Sequence, residues 1–83
     1  MKKETNLKAA RNSSGHWITQ KQVAEAAGIS LRTYQDYEQG RKDINGASAF
    51  TVYRLAVTLT NLTDHKWTVE DLLEIPLSSP QDN

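Results

Sequence analysis

The sequence predicts an all-α fold, and three observations support this. Polar capping residues stand directly before apolar residues that recur at helical spacing, and glycines follow two of these segments where a helix would end. The alternation of apolar and polar residues that is typical of strands never persists for more than a few residues. We therefore expect five helices, near residues 4–12, 20–27, 31–39, 48–59 and 69–74.

The clearest helix start is at Gln20. Thr19 precedes an apolar-periodic run and is followed three residues later by Gln22, which is the spacing of a capping box. Ile18 and Val23 are placed to pack across this helix start as a hydrophobic staple. The helix is expected to end at Gly28, because a left-handed residue usually stands at that point and glycine adopts it most easily.

A second short helix follows almost immediately. Ser30 is placed to cap it, Tyr34 is spaced to pack back on Ile29, and Gly40 supplies the next left-handed stop. Ala24, in the middle of the preceding helix, has a side chain small enough for the two helices to cross closely. The segment from Gln20 to Gly40 is therefore expected to hold two helices at a fixed angle around one tight turn.

The remaining segments are compatible with helices. Residues 41–46 are expected to form a polar loop, and Thr68 is expected to cap a short last helix that Pro76 ends. Residues 1–75 are interpreted as one domain and residues 76–83 as a short polar tail. The fourth helix carries a narrow apolar stripe that is expected to face the core, formed by Val52, Leu55, Ala56 and Leu59.

Composition excludes several classes of protein. The chain has 83 residues and no cysteine, so we expect neither a disulfide framework nor a thiolate metal site. No apolar run exceeds three residues, so we expect no secretory signal or membrane span, and a cytoplasmic location. His16 and His65 have no second ligand at metal spacing, so no metal and no cofactor are expected.

The net charge is zero, but the charges are unevenly distributed. Residues 1–42 contain eight basic and four acidic residues, a balance of +4, whereas residues 43–83 contain two basic and six acidic residues, a balance of −4. The basic half contains the pair of short helices. Clustered basic residues are what a phosphate backbone requires, so the charge distribution favours this half as a nucleic-acid face.

The segment around the tight turn resembles the lambda-repressor-like, Cro-type helix-turn-helix family. The residues that carry the resemblance are Ala24, Gly28, Ile29, Tyr34, Tyr37, Glu38 and Gly40. The similarity extends over roughly residues 7–73. It implies a compact five-helix DNA-binding domain in which the second helix of the motif enters the major groove of DNA.

The resemblance also implies roles for individual residues, since the recognition helix of this family enters the groove by its N-terminal end. Expected to contact bases are Leu31, Arg32, Thr33, Gln35 and Asp36. Expected to contact phosphates are Gln20, Ser30, Arg41, Lys42 and Asn45. Expected to form the core of the motif are Ala24, Gly28, Ile29 and Tyr34.

Two pairs of residues in this segment can be interpreted in more than one way. Tyr34 and Tyr37 could stack on bases, but their spacing favours the protein core. Arg32 and Asp36 are four residues apart, so they could form only a helix-surface ion pair worth a few tenths of a kcal/mol, roughly.

The leading functional hypothesis is sequence-specific binding of double-stranded DNA by a small prokaryotic or phage regulator, with repression as its expected action. One recognition helix covers only about half a turn of the groove, so we expect a homodimer on a pseudo-palindromic operator. Because apolar residues near a chain end have few core partners left, the expected interface is Trp67, Leu72, Ile75 and Leu77.

An alternative is an antitoxin or another protein-interaction module of the same fold, with weak or autoregulatory DNA binding and a toxin as partner. Zero net charge and an acid, Asp36, on the expected groove face favour it. So do the apolar surface candidates Trp17, Leu62, Trp67, Ile75 and Leu77. An enzyme is not expected, because the sequence lacks a nucleophile with its base, a metal site and a glycine-rich phosphate loop.

Overall fold

The computed structural model describes residues 4–13, 15 and 17–74, and this part of the chain is all-helical, with no strand. The α-helices are α1 (Asn6–Asn12), α2 (Gln20–Ala27), α3 (Leu31–Glu38), α4 (Ala49–Thr63) and α5 (Val69–Leu72), and a 3₁₀ turn spans Ile44–Gly46. The all-α prediction and the count of five helices are therefore confirmed. The expected tail, residues 76–83, lies outside the described residues, as do Ile75 and Leu77.

The helices pack around one apolar core. Helix α2 packs against α3 and α4, while α1 contacts α3, α4 and α5. The predicted stripe of α4 faces inwards. The core consists of Leu7, Ala10, Ile18, Val23, Ala24, Ala27, Tyr34, Ile44, Val52, Leu55, Ala56, Leu59 and Leu72.

Helix α4 extends four residues beyond its predicted end. Its last turn is rich in threonine and asparagine, residues that favour turns when no tertiary contact is made. Here the Thr63 hydroxyl donates to the carbonyl oxygen of Leu59 at 2.7 Å, and the indole N–H of Trp67 donates to Thr63 Oγ1 at 3.0 Å. Asp64 ends the helix in the left-handed conformation, with φ of 58°. The connection to α5 is therefore Asp64–Thr68, shorter than residues 60–68, which the expected helix bounds left between the two helices.

The first and last helices are shorter than expected because their ends are held by side chains. Thr5 caps α1, since its hydroxyl accepts from the backbone N–H of Lys8. Helix α5 ends at Leu72, because Leu73 is extended and its carbonyl accepts from the side-chain amide of Asn6 at 2.7 Å. The residue that follows α5 is thus fastened to the start of α1.

Two further expectations were wrong. Residues 41–46 were expected to form a polar loop, but they include the 3₁₀ turn, and Ile44 in this turn is buried in the core. Leu72 was expected in a dimer interface but is fully buried within the monomer, where α5 packs against α4 and α1. Its position near the chain end did not leave it without core partners. None of the helices in the described residues is long and apolar enough to span a bilayer.

Candidate nucleic-acid interface

The joint between α2 and α3 is built from local hydrogen bonds. Thr19 and Gln22 form the reciprocal capping box, with Thr19 Oγ1 accepting from the Gln22 N–H at 3.0 Å and Gln22 Oε1 accepting from the Thr19 N–H at 2.8 Å. At the other end of α2, Gly28 has φ of 77°. The N–H of Ile29 then donates to the Ala24 carbonyl at 3.0 Å, which is the Schellman pattern. These bonds set the angle at which α3 leaves α2.

The start of α3 is exposed to solvent. Ser30 caps it by accepting from the N–H of Thr33 at 3.0 Å, and its hydroxyl also donates to Thr33 Oγ1 at 2.9 Å. Leu31 and Arg32 are exposed, and the Arg32 side chain retains 83% of its accessible surface. Thr33, Gln35 and Asp36, the other residues expected to contact bases, are half-buried. The first turn of α3 is therefore the part of this helix most open to a ligand.

A basic loop is tied to the same helix. The carboxylate of Asp36 lies 3.0 Å from Arg41 Nε and 3.7 Å from Arg32 Nε, and the N–H of Lys42 donates to the Asp36 carbonyl at 3.0 Å. Two guanidinium groups thus surround the one acid on this face of α3 and offset its charge. The looser contact leaves the Arg32 side chain exposed, whereas Asp36 holds Arg41 and Lys42 beside α3.

The middle of the interface contains a carboxylate, Glu38, whose burial was not expected from the sequence. Glu38 is 2% exposed, and its two oxygens accept from Arg11 Nε at 2.8 Å, Arg11 Nη2 at 2.9 Å and the hydroxyl of Tyr34 at 2.5 Å. Arg11 also donates from Nη1 to the Ile18 carbonyl at 2.9 Å. One ion pair therefore connects α1, the segment before α2, and the end of α3.

Gln20 links this buried group to the exposed face of α3. Its amide nitrogen donates to Glu38 Oε1 at 2.7 Å, and its oxygen accepts from Gln35 Nε2 at 3.1 Å. Both Gln20, expected to contact phosphate, and Gln35, expected to contact a base, are thus held in fixed orientations. The second hydrogen of each amide nitrogen remains for a further acceptor.

The network shifts the ionisation of its members. Burial alone would raise the pKa of Glu38, but the hydrogen bonds from Arg11, Tyr34 and Gln20 outweigh it and lower that pKa. The hydrogen bond to Glu38 raises the pKa of Arg11. Burial, together with the same carboxylate, raises the pKa of Tyr34. The ion pair therefore stays charged through neutral pH, and Tyr34 stays a hydrogen-bond donor.

A concave surface that encloses a volume of about 610 Å³ lies beside this network. Its lining includes Gln20 and Arg41, two of the residues expected to contact phosphates, together with the basic residues Lys8 and Arg11 and the acids Glu4 and Glu38. The fold thus brings residues from α1, α2 and the basic loop to one site.

The other expected residues have mainly structural contacts in the free protein. The side-chain oxygen of Asn45 accepts from the Glu74 N–H at 2.8 Å, and its own N–H donates to Asp43 Oδ1 at 3.0 Å. Ala24 and Tyr34 are buried, and Tyr37 and Ile29 pack half-buried against the core. A tyrosine network with Glu38 could have been suspected from their i, i+4 spacing, but nothing local indicated Arg11 as the partner.

Comparison with known families supports the geometry of this region. A family model described as helix-turn-helix matches residues 7–59, which is more than half of the chain. Searches of curated proteins and of solved structures each found no match. Since the matched region contains α1 to α3 and most of α4, the chain belongs to the helix-turn-helix family of the lambda-repressor and Cro type, a family of DNA-binding regulators.

Proposed function

We propose that this protein binds a specific double-stranded DNA sequence as a small prokaryotic or phage repressor in the cytoplasm, and that it acts as a homodimer on a pseudo-palindromic operator. The main support for the proposal is the first turn of α3, where the Arg32 side chain is 83% exposed and a basic loop is held beside the same helix. In this arrangement α3 lies in the major groove and Arg32 donates to O6 and N7 of a guanine. Leu31 contacts a thymine methyl group.

The remaining residues of the interface have complementary roles. Gln35 pairs with an adenine, Thr33 contacts a neighbouring base, and Asp36 accepts from the amino group of a cytosine. The phosphates on either side of the groove are contacted by Gln20, Ser30, Arg41 and Lys42 and by the turn that contains Asn45. Support comes from the concave surface that gathers Gln20, Arg41 and Lys8, and from the bonds that fix Gln20 against Glu38.

Residues that select a DNA sequence and residues that anchor the protein on phosphates should respond differently to substitution. Arg32→Ala should weaken binding to the preferred duplex by about 1 to 3 kcal/mol and relax the preference at one base position per half-site. Lys42→Ala should weaken binding to all sequences alike and reduce the salt slope by about one. Lys66→Ala, which removes the same charge on the α4–α5 connection, is the matched control for a phosphate contact, and it should leave the salt slope unchanged.

The measurement is a fluorescence-anisotropy titration on a preferred and on a mixed-sequence duplex at several salt concentrations. If Arg32→Ala and Lys42→Ala bind both duplexes as the wild type does at low salt, the basic half of the chain is not a DNA face. We propose no enzymatic role, since the family to which the chain belongs is one of DNA-binding proteins.

A second candidate is an antitoxin or another protein-interaction module that keeps weak or autoregulatory DNA binding. The observation that favours it is Trp17, which is 91% exposed although it is a large apolar side chain. Leu62 and Trp67, two other apolar surface candidates, are half-buried against the core and give it less support. Weak retention on mixed-sequence DNA at low salt, with a toxin-like gene beside this one, would favour the second candidate.

A further inference from the structure

The 3₁₀ turn before α4 contains the only Asn-Gly pair of the sequence, at Asn45 and Gly46. In such a pair the backbone nitrogen of the glycine attacks the side-chain amide of the asparagine with little hindrance, because glycine has no side chain to obstruct the approach. Both residues are exposed to solvent. The turn therefore has the chemical groups and the access to water that deamidation of Asn45 requires.

The backbone of the turn does not explain why residue 46 is a glycine. Glycine is usual where φ is positive, but the positive values in the described residues belong to Gly15, Gly28, Gly40 and Asp64. A Cβ built on Gly46 would meet no atom within 4 Å. An alanine would therefore fit at this position, and what glycine adds here is an unhindered nitrogen.

In the folded protein both reacting groups are engaged in hydrogen bonds. The N–H of Gly46 donates to the carbonyl oxygen of Asp43 at 2.9 Å. The side-chain oxygen of Asn45 accepts from the N–H of Glu74 at 2.8 Å. Attack requires the first bond to break, so that the nitrogen can lose its proton, and it requires the side chain of Asn45 to be free to turn toward Gly46. The folded turn should therefore slow the reaction.

The bond to Asn45 comes from a short strap after α5, formed by Leu73 and Glu74. Asn6 holds this strap, since its side-chain amide donates to the carbonyl oxygen of Leu73 at 2.7 Å and its backbone N–H donates to Glu74 Oε2 at 2.6 Å. Leu72 is fully buried, whereas Glu74 is exposed. Exposed hydrogen bonds at the end of a short helix open more easily than the core does, so the strap can release Asn45 while the core stays folded.

We propose that Asn45 is a deamidation site that the strap keeps unreactive, and that release of the strap converts this residue to a carboxylate. The deprotonated nitrogen of Gly46 forms a bond to Cγ of Asn45, the side-chain amino group leaves as ammonia, and a cyclic imide results. Water then opens the imide at either of its carbonyl carbons, which gives aspartate or isoaspartate. The net reaction consumes water and releases ammonia, and no oxidant or reductant takes part.

The product changes the charge of the proposed DNA interface. Asn45 lies in the turn that we propose for phosphate contacts, so this part of the inference rests on the proposed function. A carboxylate there repels phosphate, and it should weaken binding to all sequences alike. Isoaspartate also adds a methylene group to the backbone of a turn that buries Ile44 and precedes α4. Deamidation thus acts as an irreversible loss of DNA affinity in molecules whose strap has opened.

The test is incubation of the full chain at mildly alkaline pH, with deamidation of Asn45 followed by peptide mass spectrometry. Glu74→Pro removes the backbone N–H that donates to Asn45, and Leu73 already has the extended conformation that suits a residue before proline. Glu74→Ala is the matched control, because it loses the same carboxylate but keeps the N–H. Glu74→Pro should deamidate about five-fold faster than Glu74→Ala, since it has one hydrogen bond fewer to hold Asn45.

Two further variants separate opening of the strap from unfolding of the domain. Ala24→Leu overpacks the crossing of α2 and α3 without touching the strap, and it should deamidate as the wild type does. Gly46→Ala should keep the helix content by circular dichroism and suppress the reaction, both in the folded protein and in guanidinium chloride. Acceleration in Ala24→Leu to the level of Glu74→Pro would mean that the unfolded chain is the reactive species, and it would overturn the role of the strap.

Other outcomes would also overturn the inference. These are equal rates in Glu74→Pro and Glu74→Ala, a slower reaction in Glu74→Pro, which would mean that the N–H activates the amide, and equal rates in the folded and the unfolded wild type.

The effect on DNA is tested separately by anisotropy titration of Asn45→Asp, which reproduces the charge of the product, against Asn45→Ala, which does not. Asn45→Asp should bind every duplex more weakly than Asn45→Ala. Equal binding by these two variants would overturn the effect on DNA. A wild type that deamidates as described but binds no DNA would support the deamidation site and refute the proposed function.

Discussion

The buried ion pair between Arg11 and Glu38 should account for much of the attachment of α1 to the DNA-binding motif. Replacing Arg11 by methionine removes three donated hydrogen bonds, two of them to the carboxylate, while it keeps most of the apolar volume. Glu38, which is 2% exposed in the wild type, would then keep only Tyr34 and Gln20 as donors. Removing one partner from a buried ion pair costs about 3 to 5 kcal/mol, because an uncompensated charge is left inside.

That loss is large for this chain. A domain of this size is stabilised by on the order of 4 to 12 kcal/mol in total, so Arg11→Met should lie close to its unfolding threshold. The double variant Arg11→Met with Glu38→Met should be more stable than Arg11→Met alone, because it leaves no buried charge. Lys21→Ala is the control: its partner Glu25 is 4.0 Å away and both side chains are about 70% exposed, so it should cost less than about 1 kcal/mol.

The assay is urea denaturation followed by circular dichroism at neutral and at acid pH. In the wild type the pKa of Glu38 is lowered, so its contribution to stability is complete above the ordinary value and is lost as the pH falls through the folded value. In Arg11→Met burial should instead raise that pKa, so the variant regains stability as the pH falls. The gap between the two proteins should therefore be largest at neutral pH and should narrow below about pH 4.

A loss no greater than that of Lys21→Ala, or a gap that is independent of pH, would refute this reasoning. Either result would mean that the carboxylate of Glu38 is solvated or finds other donors once the guanidinium is absent. The contact between α1 and α3 would then rest on apolar packing alone.

Three further outcomes are expected. Gly28→Ala and Gly40→Ala should both lower the melting temperature, because both residues have positive φ; at Gly28 the new Cβ would also lie 2.6 Å from Arg54 Nη2, the end of a flexible side chain that can move aside, and an unchanged melting temperature in either variant would show that its backbone relaxes without cost. Ala24→Leu should cost about 1 to 3 kcal/mol of stability, because Ala24 is 1% exposed at the helix crossing, and a wild-type melting temperature would show that the crossing has room. Asp36→Asn should strengthen binding to mixed-sequence DNA, since it removes an acid and releases Arg41, and unchanged retention at low salt would place Asp36 away from phosphate.

Local signals were sufficient for the middle of the fold. The start of α2 at Gln20 follows from the cap at Thr19, and its end at Ala27 follows from Gly28. Both signals lie next to the helix end that they determine, and both are present in the structure. The end of α4 could not be predicted in this way. Its last turn depends on Trp67, which lies beyond the helix and satisfies Thr60 and Thr63 by hydrogen bonds.

The candidate site was predictable only in part for the same reason. The exposure of Arg32 follows from its place in the first turn of a capped helix. The burial of Glu38 does not, because it depends on a guanidinium 27 residues earlier in the chain. Asn45 illustrates the opposite case, since a residue expected at the ligand surface accepts from the N–H of Glu74 in the free protein.

We have proposed that the exposed first turn of α3 selects a DNA sequence. This can be measured by selecting bound duplexes from a random pool with the wild-type protein at one moderate, stated salt concentration. We expect enrichment of a pseudo-palindromic sequence whose half-sites lie about 10 base pairs apart, with a guanine at the position that Arg32 contacts. A pool that remains random after repeated rounds, from a protein that is folded and helical, would contradict it.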